Sequence, residues 1–299
     1  MNRILLYVHF NRNDGLSEHV VYQLKKIRPL FKRVVFITNS KLSADDMQRL
    51  KGVYDDFIQR KNIGFDFAAW RDGIQFVGWD ELVKFDSLTI MNDTCFGPIF
   101  SAESMYEKME ARQVDFWGVN DHAASQTGMP GTDGPVPRHI QSYLEVFSNK
   151  VIQSDDFRKF WEAVHDYRDV IKVIQQYETR LTSILSEAGF SFDVFFDTGR
   201  HATDNKIVNT FNYSELLPLV MLDEGVPFLK IKSFTHAFRW QLVRKIKKTN
   251  YPPLLITNHL KTMHIVNTNT FGFYVRCTIV NCIKWIPGYG RLKRVLRGH

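Results

Sequence analysis

Acidic residues run out before the chain does. After Glu224 there is no Asp or Glu, while Lys and Arg occur 14 times in the last 75 residues. The first 224 residues carry 25 basic against 32 acidic side chains, so a mildly acidic body leads into a polycationic end. Cysteine is as scarce: Cys95, Cys277 and Cys282 are the only three in 299 residues. They are too few and too scattered for a disulfide framework or a four-ligand zinc site, and a reducing cytosol is expected. Long apolar runs are missing too. The best candidate, Phe271 to Pro287, is interrupted by Arg276 and Lys284 and falls short of the ~20 apolar residues a membrane span needs. The opening apolar run, Ile4 to Val8, gives way at once to the polar Asn11 to Asp14 with no small-residue cleavage site, and so reads as a first strand rather than a secretory signal.

What is present suits a packed core. Hydrophobic residues make up 44% and aromatics 14%, with 24 Phe, which excludes wholesale disorder and a collagenous or coiled-coil rod. The length predicts one large domain with an appendage. No internal repeat is visible.

From Arg3 to Trp117 apolar runs of strand length alternate with amphipathic helical ones. Strands are expected at Ile4 to Phe10, Arg33 to Thr38, Tyr54 to Gln59 and Ser87 to Met91. Helices are expected after Ser17, carrying Val20, Val21, Leu24 and Ile27, after Ser43, and from Phe67 to Phe76. This βαβαβα order predicts an α/β fold with a Rossmann-type, mostly parallel sheet flanked by helices on both faces. Further on, Asp115 to Val119, Ile140 to Phe147 and Phe192 to Phe196 read as strands. Ser154 or Asp155 opens a helix, another runs from Val170 to Ala188, and Ser214 to Glu224 is helical. Gly128 to Pro137 is a Gly/Pro-rich loop.

In such sheets ligands bind beyond the carboxyl ends of the strands. Three polar clusters fall there: His9 to Asp14, Asn62 to Asp66, and Asn92 to Thr94. Asn62 and Gly64 at a strand exit, followed by a helix with small Ala68 and Ala69 and with Arg71 one turn on, form a surface suited to a nucleotide or sugar. Asp66 reads equally well as that helix's cap. Asp93, delivered by a buried strand beside Asn92, is where a parallel-sheet enzyme would hold a donor or a metal; an Asx turn ending the strand is the plainer reading. One carboxylate beside an amide is weak by itself for Mg²⁺ or Mn²⁺, which gain further oxygens from water and a diphosphate.

Taken together, these stretches resemble the nucleotide-sugar-binding half of GT-A glycosyltransferases. The closer resemblance is to the rhamnan synthesis protein F family, carried by Asn62-Ile-Gly-Phe-Asp-Phe-Ala-Ala-Trp, Met91-Asn-Asp-Thr-Cys-Phe-Gly-Pro, Phe116-Trp-Gly-Val, His139-Ile-Gln-Ser-Tyr-Leu and Tyr177-Glu-Thr-Arg-Leu-Thr, over about residues 3 to 260. It implies a GT-A-like domain over 1–260, with a nucleotide-sugar half (1–119) and an acceptor half (120–260), followed by a basic amphipathic extension (261–299). It implies transfer of a deoxyhexose, L-rhamnose from dTDP-L-rhamnose, to a lipid-linked surface polysaccharide, with inversion. By position, His9, Asn62, Gly64, Asp66, Arg71, Asn92 and Asp93 would meet the donor, with Asp93 as the metal residue. Asn92-Asp93-Thr94 stands where a full Asp-x-Asp motif would, which weakens the case for a divalent metal.

Inverting transfer needs a group to take the acceptor hydroxyl proton. Glu178 is the first candidate, set about 100° off the apolar stripe Tyr177, Leu181, Ile184, Leu185 and Ala188, where it faces a cleft or solvent. Asp121 and His122, after a strand, are the alternative base or acceptor contacts. His139, Gln141 and Tyr143 alternate along the next expected strand and are placed at the acceptor. The cationic end, rich in interleaved aromatics, predicts a peripheral location on the anionic inner face of the cell membrane. Nucleic acid is not expected: no zinc-finger, RNA-recognition or helix-turn-helix signature accompanies the charge. A catalytically silent glycan- or membrane-binding module on the same scaffold is the alternative.

Overall fold

The computed structural model describes residues 1–125, 134–202, 217–235 and 239–265. The expected basic extension therefore lies outside the described residues beyond residue 265, as do most of the Gly/Pro-rich loop and the start of the helix expected from Ser214. The elements run β1 (Arg3–His9), α1 (Glu18–Ile27), β2 (Arg33–Thr38), α2 (Ala44–Arg49), β3 (Asp56–Gln59), α3 (Phe65–Val77), α4 (Trp79–Leu82), β4 (Ser87–Asn92), β5 (Cys95–Phe96), α5 (Ala102–Glu110) and β6 (Phe116–His122). They continue with β7 (His139–Ile140), β8 (Leu144–Ser148), α6 (Asn149–Ile152), α7 (Asp155–Glu162), α8 (Val170–Val173), a π turn (Ile174–Glu178), α9 (Thr179–Glu187), β9 (Phe192–Phe196) and β10 (Leu229–Lys230).

The main sheet has the order β3-β2-β1-β4-β8-β6-β7, with β9 also paired to β6. Strands β1 to β4 are mutually parallel, β8 runs antiparallel between β4 and β6, and β9 is parallel to β6. The mostly parallel sheet flanked by helices is therefore present. Its central strands are apolar on both faces because both are covered. Leu5 and Tyr7 of β1 pack with α1 and α5, whereas Ile4, Leu6 and Val8 pack with α3, α7 and α9. Helix α3 lies close to the sheet because Gly73 has no side chain: a Cβ there would come within 2.5 Å of Ile37 Cδ1. No helix among the described residues is long and apolar enough to cross a membrane.

Three boundaries differ from expectation for local physical reasons. Helix α3 begins at Phe65, two residues early, because Gly64 rather than Asp66 is its N-cap; Gly64 takes φ +74°, a left-handed conformation that glycine adopts without penalty. The single strand expected over Ile140 to Phe147 is two, separated by a turn at Ser142 and Tyr143. Among the described residues β7 pairs only with the end of β6, and β8 only with β4 and the start of β6. The helix expected from Val170 to Ala188 is interrupted by the π turn at Ile174–Glu178, a local widening often associated with functional sites.

Gly64 admits no side chain. A Cβ would sit 2.4 Å from Ala68 Cβ and 3.1 Å from Asp166 Cα, on top of the left-handed backbone cost of about 1–2 kcal/mol. Gly64→Ala should lower unfolding free energy by on the order of 2 kcal/mol or more, measured by chemical denaturation.

Candidate functional site

The register makes the parallel strands end level. His9 pairs with Thr38 and Val8 with Asn92, so His9, Thr38 and Asn92 stand along one edge of the sheet, where a sheet of this kind has its ligand crevice. The strand-exit turns are stitched together. Asn39 N donates to His9 O at 2.8 Å, Asn39 Nδ2 to Asn62 Oδ1 at 3.1 Å, and Arg60 Nη1 to Asn39 Oδ1 at 3.0 Å.

Asn92 and Asp66, from β4 and the first turn of α3, meet directly: Asn92 Nδ2 donates to Asp66 Oδ2 at 2.8 Å. Asn92 Oδ1 in turn accepts from Thr94 Oγ1 at 2.6 Å and Thr94 N at 3.2 Å. Asp66 is thus held across the crevice mouth instead of capping its helix. Burial pushes its carboxyl up to about 6, with the charge of Glu178 adding to the rise and the Asn92 bond, Lys230 and Arg60 opposing it.

Asp93 follows on the same turn. Its Oδ2 accepts from Phe10 N at 3.1 Å and lies 3.8 Å from His9 Nε2. Burial raises Asp93 to about 8, opposed by the Phe10 bond and reinforced by Asp66. Burial likewise lowers His9 to about 4. The close approach is therefore a neutral acid beside a neutral imidazole at pH 7, not an ion pair. His9 Nδ1 sits 2.9 Å from Thr38 Oγ1, and that hydroxyl already donates to Ser40 O. The proton is assigned to Nδ1 on that basis, which leaves Nε2 as a buried lone pair without a hydrogen-bond partner.

Glu178 closes the opposite side from the π turn. Its charge raises not only Asp66 but also His122, His139 and Glu145, so its field reaches all four. His122 and His139 stack with ring centroids 5.2 Å apart and planes 10° from parallel. Each pairs Nδ1 with a backbone oxygen, Ala123 O at 2.7 Å and Pro137 O at 2.9 Å. His139 Nε2 is buried without a partner. Burial, then His139, lowers His122 to about 4, and burial lowers His139 against the pull of Glu178.

Three expectations are corrected by these contacts. Asp121 and His122 are not a dyad. β6 extends through both, so the two side chains point to opposite faces. Asp121 is buried, accepts from Thr198 N at 2.9 Å and Thr198 Oγ1 at 2.5 Å, and is paired with Arg138. Arg71 is committed to other partners, donating to Val164 O at 2.7 Å and to Asp72 and Asp166. Tyr143 does not share a face with His139, because the chain turns between β7 and β8. Its hydroxyl donates to Asn120 Oδ1 at 2.6 Å and its ring joins the α1 side of the core.

Two residues of the crevice escaped the sequence reading. Glu145, in the middle of β8 between Ile90 and Gly118, is 1% exposed, and its Oε2 has no partner. Burial and then Glu178 hold it well above the ordinary carboxylate range. A lone acid in the otherwise apolar Leu144–Phe147 run was the readable sign. Lys230 reaches the same region from β10, and nothing local in its sequence marks it.

Among the described residues no three His, Cys, Asp or Glu side chains converge on a metal position. Asp93 would bring one carboxylate, so a divalent ion held there would need its other oxygens from water and a diphosphate.

Because Asp93 binds its proton more tightly folded than unfolded, native stability falls as pH rises from the ordinary aspartate value of about 4 to about 8, and is flat above. Asp93→Asn should gain stability over the parent through that window and level off beyond it, by on the order of 2–5 kcal/mol in chemical denaturation. Asp121→Ala should instead lose about 1–3 kcal/mol by stranding the Thr198 N–H.

The family model for rhamnan synthesis protein F matches residues 34–283. The uncharacterized protein y4gN of Sinorhizobium fredii is 30% identical over 182 residues, 61% of this chain and 45% of that protein. The virulence protein VirA of Vibrio anguillarum is 28% identical over 143 residues, 47% of this chain and 42% of that protein. The chain thus spans less than half the length of these curated relatives. Core-mannan synthase A (CmsA/Ktr4) of Aspergillus fumigatus, in its Mn/GDP form, aligns with a TM-score of 0.34 at 10% identity, over 64% of this chain and 70% of that one. With most of its length matched by one family model, this chain belongs to the rhamnan synthesis protein F family.

Proposed function

We propose that the chain is an inverting glycosyltransferase that moves L-rhamnose from dTDP-L-rhamnose to a lipid-linked surface polysaccharide, working at the inner face of the cell membrane. The observation that carries this reading is the convergence of Asn92, Asp93 and Asp66 on one crevice at the carboxyl edge of the sheet, in a chain of the rhamnan synthesis family. Asn62, Gly64 and Asp66 would line the nucleotide and sugar, and His9 would hold Asp93 from below. A divalent ion, where bound, would use Asp93 and the donor diphosphate, and would supply charge neutralisation to the departing dTDP.

In the transfer step the acceptor oxygen bonds to sugar C1 as the bond from C1 to the diphosphate oxygen breaks. The acceptor proton passes to the Glu178 carboxylate, and dTDP leaves with the bonding pair. His139, its Nε2 buried and unpartnered, faces the same side and would orient the acceptor hydroxyl. His122 supports it by stacking. The run of basic residues after Glu224 would add about 1 kcal/mol each near an anionic surface.

The test is a panel of nucleotide sugars scored by thermal unfolding and by product formation. dTDP-L-rhamnose at about 100 times its dissociation constant should stabilise by about 2.7 kcal/mol, and Asp93→Asn should abolish the effect. Glu178→Gln should keep donor binding while lowering kcat by roughly 10²–10⁴-fold. Donor binding with no turnover in any acceptor extract would instead identify a silent binding module.

A further inference from the structure

The amino edge of the sheet, at the far end of β4 from Asn92, holds a cavity of about 440 Å³ beside the end of α5. Successive strand residues point to opposite faces, and this alternation decides what meets the cavity. On β4, Thr89 faces α5, its hydroxyl 3.0 Å from the Tyr106 hydroxyl, so Ser87 two residues earlier faces the same way. On β8 and β6, Val146 and Trp117 join the cluster of Met105, Tyr106 and Met109 from α5. Ser148, two residues after Val146, therefore points there too. The register sets Ser87 directly opposite Ser148, and both line the cavity together with Trp117 and Val146.

The two serine hydroxyls are buried, and neither has a hydrogen-bond partner. Ser87 as a whole is 5% exposed. A buried polar group left unpaired is a standing cost. Here two of them share the wall of a space far larger than the ~30 Å³ of one water, which points to partners supplied by a larger molecule.

The charged groups at the rim narrow its chemistry. Glu110 is matched by Arg3, whose Nε and Nη2 donate at 2.8 and 2.7 Å. Asp115 is matched by Lys150 at 2.9 Å and also accepts from Ser191 N and Oγ. Asp86 accepts from Asn2 N at 2.6 Å. A charged ligand would have to break these pairs, whereas a neutral one leaves them in place. Each serine hydroxyl can both donate and accept, and Trp117 and Val146 beside them are apolar. Together they suit a neutral molecule with adjacent hydroxyls on one side and C–H groups on the other. A sugar ring has that chemistry.

We propose that this cavity binds a neutral sugar ring, its hydroxyls bonded to Ser87 Oγ and Ser148 Oγ and its C–H face against Trp117 and Val146. The site lies about 17 Å along β4 from Asn92 at the usual strand rise, and it does not rest on the donor reading. Its occupation leaves the crevice free, so a glycan is retained whether or not a donor is bound.

The probes are the methyl glycosides of L-rhamnose, D-glucose, D-galactose and N-acetyl-D-glucosamine, titrated by saturation-transfer NMR with and without dTDP and Mg²⁺. At least one glycoside should bind, and dTDP should not displace it. Ser87→Ala combined with Ser148→Ala should weaken that glycoside by about fivefold to a hundredfold, the range of two hydrogen bonds. The denaturation midpoint of the variant should stay level or rise, because the hydroxyls removed are unpaired in the free protein. Should the double variant not fold, Ser148→Ala alone, at the half-buried position, carries the same comparison with about a twofold to tenfold loss. A parent protein that binds none of the glycosides overturns the proposal and leaves a cavity filled by water. Equal affinity in parent and variant, or displacement by dTDP, also overturns it. So does a loss of binding that comes with a loss of stability, which assigns the serines a structural role. The donor reading stands or falls separately, on nucleotide-sugar binding at Asp93.

Discussion

A single hydrogen bond, Asn92 Nδ2 to Asp66 Oδ2 at 2.8 Å, joins the end of a central strand to the first turn of the helix that crosses above it. Much of the crevice follows from that bond. It holds a carboxyl where solvent is scarce, and the carboxyl responds by rising to about 6. To bring Asp66 there the chain must enter α3 sharply, and both Gly64 (φ +74°) and Phe65 (φ +52°) take left-handed backbone. Glycine does so freely, but for Phe65 this is a real cost. The packing of Ala68 and Ala69 under the turn repays it by letting the helix start lie close to the sheet.

Covering both faces of the sheet leaves its carboxyl edge as the place where a ligand can reach backbone and side chains together. The antiparallel β8 between β4 and β6 complicates this arrangement. It fills the gap between two parallel strands, which explains its buried, apolar character, yet it carries Glu145 into that layer. A buried carboxyl without a partner for Oε2 is expensive. Burial, and after it the nearby charge of Glu178, hold its proton affinity well above the ordinary carboxylate range. The two acids differ in their surroundings: Glu145 is buried in the sheet, and Glu178 is half-buried at the end of the π turn.

What could be read from the sequence was local. Apolar periodicity located β1, β2, α1 and the helix after Ser154, whose Oγ does accept from Phe157 N. Strand-end position picked out His9, Asn62, Asp66 and Asp93. The misreadings have the opposite origin, in partners far along the chain. Asp121 looked available until Thr198, 77 residues later, took one of its oxygens. Arg71 looked like a donor contact until Asp166, 95 residues later, took its guanidinium. Ser17 does cap α1 by position, but its hydroxyl turns to His259 Nδ1 at 3.2 Å instead of to the helix backbone. The alternation of His139, Gln141 and Tyr143 suggested one face, but periodicity carries no sign of a turn that lacks Gly and Pro. Lys230 was invisible for the same reason: only the β5–β10 pairing brings it to the turn.

The neutral pairing of His9 with Asp93 is the feature least explained by folding alone. Local rules would place a salt bridge or two apolar residues at a strand end this deeply covered, and burial has instead lowered the imidazole to about 4 and raised the acid to about 8. Departures of this kind concentrate at functional sites. A carboxyl held neutral does not repel a neighbouring anion, and its ionisation would need a positive charge close by.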